Sequence, residues 1–169
     1  MKNTYLLIVF ILVSFISCSE KALLEKSFEV EKTNLMFGGM IVSANPFQIK
    51  DKKGKRYIRE KGGTGGINLA KPELNKLYCS DCNVTDSTKA ILIIKYPLKK
   101  TIGYRIYSEN GFNKEKLVIE LSKAYSEIFM NKKKYGICCD ELADLELTSI
   151  LVFKVGQEIY LETKVDSKK

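Results

Sequence analysis

Histidine and tryptophan are both absent from this 169-residue chain. Without histidine there is no Ser-His-Asp or Cys-His triad, no HExxH metal site, no CxxCH haem attachment and no imidazole proton shuttle. Proline is scarce: it occurs only at 46, 72 and 97, so no Pro-rich linker divides the chain. No segment recurs at a period of roughly 20–50 residues, which excludes solenoids and propellers. No apolar run reaches the ~18 residues that would suggest a membrane-spanning helix. What is present suits one globular domain, with 45% apolar residues. A chain of this size can bury about two-thirds of its unfolded surface.

The N-terminus reads as an address. Lys2 provides a positive start, Tyr5 to Ile16 form an apolar stretch broken only by Ser14, and Ser17 is small. As a helix that stretch rises about 18 Å, short of the ~30 Å hydrocarbon core of a bilayer. Residues 1–17 are therefore expected to be a secretory signal peptide. The string Phe15-Ile16-Ser17-Cys18 resembles the lipobox of bacterial lipoproteins. The resemblance covers residues 1–18 only. It implies cleavage before Cys18, a diacylglyceryl group on its thiol, and acylation of the new N-terminus by a chain such as palmitate. The expected localisation is the cell membrane or the outer membrane, with the lipid at Cys18 as the link. In lipoproteins sorted by the residue after the Cys, one other than Asp, here Ser19, favours the outer membrane. One acyl chain holds a bilayer only marginally, whereas two or more anchor stably.

The whole chain carries 28 basic and 20 acidic residues, a formal +8. Removing residues 1–17 takes away only Lys2, so the basic count falls from 28 to 27 and the net charge to +7. The clusters are Lys50 to Arg56, Lys99-Lys100 and Lys132 to Lys134. They could attract anionic lipid headgroups or acidic envelope polymers, and solvated loops and helix ends account for them as well. No nucleic-acid fold signature appears, and an exported lipoprotein does not meet nucleic acid, so that partner is not expected. The expected partners are the membrane and possible envelope proteins.

The expected organisation is a tether over 18–26, a single domain over 27–165 and a polar tail over 166–169. Leu35 to Ser43 suggests a strand, and Lys53-Gly54 a hairpin between strands at 47–49 and 57–59. Gly62 to Gly66 suggests a mobile loop, lacking the spacing of a dinucleotide fingerprint or a P-loop. Leu69 to Leu77 suggests a helical turn near Pro72. Ala90 to Tyr96 is an unbroken apolar run, expected as a central strand covered on both faces. Thr101 to Ser108 alternates and should pair with it. Lys114 to Asn131 has a helical apolar stripe, Asn113 as N-cap, Glu115 in the first turn, and Lys132 to Lys134 with Gly136 at its end. Leu147 to Val155 and Glu158 to Lys164 should form a hairpin through Gly156-Gln157 in a type II′ turn. The expected fold class is α+β: a mostly antiparallel sheet with one main amphipathic helix, about 114–131, packed on one face and stapled by disulfides.

After Cys18, four cysteines remain: Cys79, Cys82, Cys138 and Cys139. An even number in an exported chain suggests disulfides. Pairing Cys79 with Cys82 would leave Cys138 to bond its neighbour through a distorted peptide, so two bridges between the segments are expected instead. A redox CxxC would need a helix directly after it, and Asn83 to Ser87 reads as loop. A zinc site built from all four cysteines is not expected: CxxC gives a good half-site, but two adjacent cysteines rarely both reach one tetrahedral metal, and an oxidising compartment removes the thiolates. Asp140, Glu141, Asp144 and Glu146 form an acidic stretch, and on a helical turn Asp140 and Asp144 would share a face. It lacks EF-hand spacing and also fits an ordinary surface turn. No catalytic, cofactor or metal residue is assigned. Two function classes follow. One is a membrane-anchored, non-catalytic binding, inhibitory or assembly module of the envelope. The other is an envelope redox or hydrolytic enzyme using Cys79 and Cys82 or the Asp140–Glu146 stretch.

Overall fold

The computed structural model describes residues 23–30, 39–51, 53 and 65–168. The expected signal peptide, Cys18, residues 62–64 of the expected loop and most of the expected 53–59 hairpin lie outside those residues. The described strands are β1 (Leu23–Leu24), β2 (Phe28–Glu29), β3 (Met40–Pro46), β4 (Ile67–Asn68), β5 (Asn83–Thr85), β6 (Lys89–Ile94), β7 (Ile102–Tyr107), β8 (Phe112–Asn113), β9 (Leu145–Val155) and β10 (Glu158–Ser167). The helices are α1 (Lys114–Met130) and the single turn α2 (Lys132–Tyr135). Leu74–Lys76, inside the expected helical turn, is a short 3-10 turn.

The helix forms where its local signals place it. Asn113 is extended, and its side chain accepts the Lys116 N–H at 2.9 Å. That bond satisfies one of the donors a first turn leaves open. Leu117, Val118, Leu121, Ala124, Tyr125 and Ile128 form the buried stripe. Gly136 closes α2 in the left-handed region (φ 73°), with its N–H directed at the Lys132 and Lys133 carbonyls. A side chain there would be strained by φ and would also meet the Lys99 stem, whose Cδ lies 2.6 Å from where a Cβ would stand.

The main sheet is mixed and mostly antiparallel, in the order β1-β7-β6-β10-β9-β3, with β2 also on β7 and β4 on β9. β6 and β7 pair antiparallel from Lys89↔Tyr107 to Ile94↔Ile102. β9 and β10 form the C-terminal hairpin, and Gly156 has φ 59° while Gln157 is not left-handed, as a type II′ turn requires. The two hairpins join through a parallel pairing of their inner strands, Ile91↔Tyr160 to Ile93↔Glu162. β7, α1 and β9 lie in the chain between those strands, and such a long connection is what a parallel neighbour needs.

α1 covers one face of this sheet. Ala90, Leu92 and Ile94 of β6 join Tyr104, Ile106, Ile150, Val152 and Leu161 in one core with the helix stripe. Ile91 and Ile93 point to the other face, under Phe28, Val30, Val155 and Tyr160. The apolar run of β6 is thus covered on both faces, the second time by an N-terminal strap rather than a helix. Two boundaries differ from the expected ones. β10 runs to Ser167, inside the segment read as a tail, because it follows β9 to Ser167↔Leu145. Leu23 and Leu24, inside the segment read as a tether, pair with β7.

Candidate functional site

The cysteines do not cross-link as expected. Cys79 and Cys82 form a disulfide with each other, Cα atoms 5.2 Å apart. Cys138 and Cys139 are exposed, with sulfurs 2.8 Å apart, and neither is bridged to the first segment. The reason is tertiary. The Cys82 carbonyl accepts the Lys114 N–H (3.1 Å) and the Ser80 carbonyl accepts the Glu115 N–H (2.9 Å), so the CxxC loop sits on the N-terminus of α1. The other pair follows α2, beyond the C-terminus of α1. A 17-residue helix rises about 25 Å, several times the ~4.4–6.8 Å between Cα atoms that a disulfide allows.

The loop therefore reaches a helix N-terminus in space, although no helix follows it in sequence. Its carbonyls, not its sulfurs, take the helix N–H groups. Together with the Asn113 cap they satisfy three first-turn donors. Cys79 holds a left-handed backbone (φ 52°), costing about 1–2 kcal/mol for a residue with a Cβ. The disulfide fixes that conformation and acts as a covalent cap for α1.

The acidic stretch is dispersed. Leu142–Asp144 is a 3-10 turn preceded by an extended Glu141, so Asp140 and Asp144 do not share an α-helical face. Asp140 accepts from the Tyr96 hydroxyl at 3.0 Å, Glu141 pairs with Lys132 at 2.8 Å and Glu146 with Lys168 at 3.0 Å. Burial pushes the Tyr96 phenol up, and the Asp140 carboxylate adds to it. Among the described residues, no three His, Cys, Asp or Glu side chains come together to hold a metal.

A different cluster does converge. A cavity of about 370 Å³ opens between the strap at Ser27–Glu29, the β6–β7 turn and α2. Lys99 and Lys100 enter from the turn, and Lys133 and Lys134 from α2. The Lys99 N–H to the Tyr135 carbonyl (3.4 Å) ties the two walls together. Lys100 pairs with Glu29 at 3.0 Å, and Lys134 lies 5.0 Å from the centre of the Tyr135 ring. Lys99 and Lys133 form no ion pair among the described residues. The Ser27 and Tyr135 hydroxyls bond each other at 3.2 Å on the wall. Tyr104 is fully buried beside them, its hydroxyl within reach of both. Burial pushes its phenol far up, followed by the influence of Glu127 and Tyr135.

Both lysine clusters are visible in the sequence, yet nothing there brings them together across more than thirty residues. The third lysine of the run, Lys132, goes elsewhere: it bonds the Asp140 carbonyl and Glu141. No family model, curated protein or solved structure matches the chain. The site must be read from its own geometry.

Proposed function

We propose that the protein is a lipid-anchored, non-catalytic binding module of the cell envelope, held at its membrane by Cys18, with the lysine-lined cavity as its binding site. One observation carries the reading. Ser27, Phe28 and Glu29 form a wall of the cavity, and Ser27 stands only nine positions after Cys18. Nine residues reach at most about 32 Å, so an anchor at Cys18 keeps this cavity close to the bilayer surface. A catalytic role is supported less well, because the CxxC loop caps α1 with its carbonyls, and Asp140, Glu141 and Glu146 each bond a different residue, Tyr96, Lys132 and Lys168.

The test is mass spectrometry of the N-terminal peptide of the mature chain, extracted from its native membrane. The expected peptide begins at Cys18 and carries diacylglyceryl and acyl mass. A chain that retains Met1, or that begins at an unmodified Cys18, overturns the proposal.

A further inference from the structure

We infer that the cavity between the strap, the β6–β7 turn and α2 binds a small phosphate-bearing anion, with Lys99 and Lys133 as its principal contacts. The inference deepens the binding-module reading and rests on it for the place of the ligand, though not for the chemistry. Four lysines line the cavity beside one acidic residue, Glu29. Packing like charges together costs free energy that the exposed Lys100–Glu29 pair and the Lys134–Tyr135 contact offset only in part, and surface lysines are free to spread apart. Complementing the end of a helix accounts for lysines in the run that follows α1, although Lys132, outside the cavity, bonds the Asp140 carbonyl instead. It does not explain why a turn more than thirty residues away adds Lys99 and Lys100 to the same wall.

The chemistry selects the ligand class. A phosphate ester carries a charge of about −1 as a diester and about −1.5 to −2 as a monoester at neutral pH, and offers two or three strong acceptor oxygens. Lysine binds phosphate as a point charge, and several ammoniums around one group suit its near-tetrahedral oxygens. The Ser27 and Tyr135 hydroxyls bond each other, which leaves one O–H of the pair as a further donor on the cavity wall. At about 370 Å³ the cavity falls at the small end of the ~300–1,000 Å³ range of ligand pockets, the size of a headgroup or a small phosphate ester. Two sources offer that chemistry: the headgroup of an anionic phospholipid and a soluble phosphate ester.

The experiment measures acetylation rates of individual lysines by mass spectrometry, on the acylated protein in bilayer discs. One disc is phosphatidylcholine alone, one is an equal mixture with phosphatidylglycerol, and a third arm adds glycerol phosphate to the phosphatidylcholine disc. Lys99 and Lys133 are expected to slow severalfold relative to exposed Lys71 and Lys154. Slowing in the phosphatidylglycerol disc assigns the lipid headgroup, and slowing with glycerol phosphate assigns a soluble ester. No selective slowing in either arm overturns the inference. The double variant Lys99→Gln/Lys133→Gln is expected to lose about tenfold in glycerol phosphate affinity, the effect of removing two partly solvated charges. Lys71→Gln/Lys154→Gln is expected to change it little, and equal losses in the two variants would mean diffuse attraction rather than a site. If Cys18 proves not to be acylated, the glycerol phosphate arm is run on the full chain in solution, so the site and the anchor fail separately.

Discussion

The two faces of the central sheet are covered in different ways from neighbouring residues of one strand. On the helix side, Leu92 and Ile94 of β6 are fully buried in a core shared with Leu117, Leu121, Tyr125 and Leu161. On the other side, Ile91 and Ile93 meet a thin layer of Phe28, Val30, Val155 and Tyr160. That thin side also holds a buried charge: Glu162 is 2% exposed and bridges Lys95 and Lys164. Area stabilises the first face. The second depends on a short strap and one ionic cluster, and the strap is also a wall of the cavity. The sheet can therefore keep its core while its strap opens, which places any movement near the site rather than in the fold.

Substitutions on adjacent residues of β6 should separate the faces most strongly. Leu92→Ala is expected to cost about 2–5 kcal/mol in urea unfolding, the usual range for a filled core position. Ile91→Ala should lie at or below the bottom of that range, because its neighbours can settle into the space. Equal losses would mean that the strap packs as firmly as the helix.

The next effect is electrostatic. Burial pushes the Glu162 carboxyl up, but the ammoniums of Lys164 and Lys95 outweigh it and hold the carboxyl below its ordinary value of 4.5. A lowered value in the folded state means that stability is present above about pH 4.5 and is lost as pH falls through the folded value. Glu162→Gln leaves two lysines without their carboxylate and is expected to cost about 2 kcal/mol at neutral pH. Its unfolding midpoint should also fall less steeply with acid than that of the native chain. An unchanged acid limb would remove Glu162 from the account of the second face.

The smallest effect concerns the strap alone. Phe28 is half-buried and stacks on the Arg105 guanidinium at 4.8 Å. Phe28→Ala should cost about 1 kcal/mol and act locally. Amide exchange should speed up at Glu25 and Val30, which bond the Arg105 and Thr101 carbonyls, and stay unchanged in α1. Faster exchange throughout α1 would show that the two faces are one cooperative unit.

The parts of this fold that follow from neighbours in the chain were legible without a structure. The Asn113 cap, the apolar stripe of α1, the left-handed Gly136 and the Gly156 turn are each decided within a few residues, where steric limits and hydrogen-bond geometry leave little choice. The unbroken apolar run of β6 announced two covered faces, though not what covers the second. The cysteine connectivity was not legible from pairing arithmetic, because the length of α1 between the two pairs decides it. Residues 62–64 and the lipobox expected at Cys18 lie outside the described residues.

By itself, then, the sequence determined the elements: one capped helix, two hairpins, and an α+β balance set by hydrophobic period and turn chemistry. The tertiary structure decided their meeting points. It laid β10 parallel to β6, set the Ser80 and Cys82 carbonyls on the first amides of α1, and brought the Lys99 N–H to the Tyr135 carbonyl. Those contacts join segments about thirty to seventy residues apart, and loop closure over such lengths discriminates only weakly between partners. The packing of α1 against the sheet makes the choice, because burying its stripe fixes where both of its ends must lie.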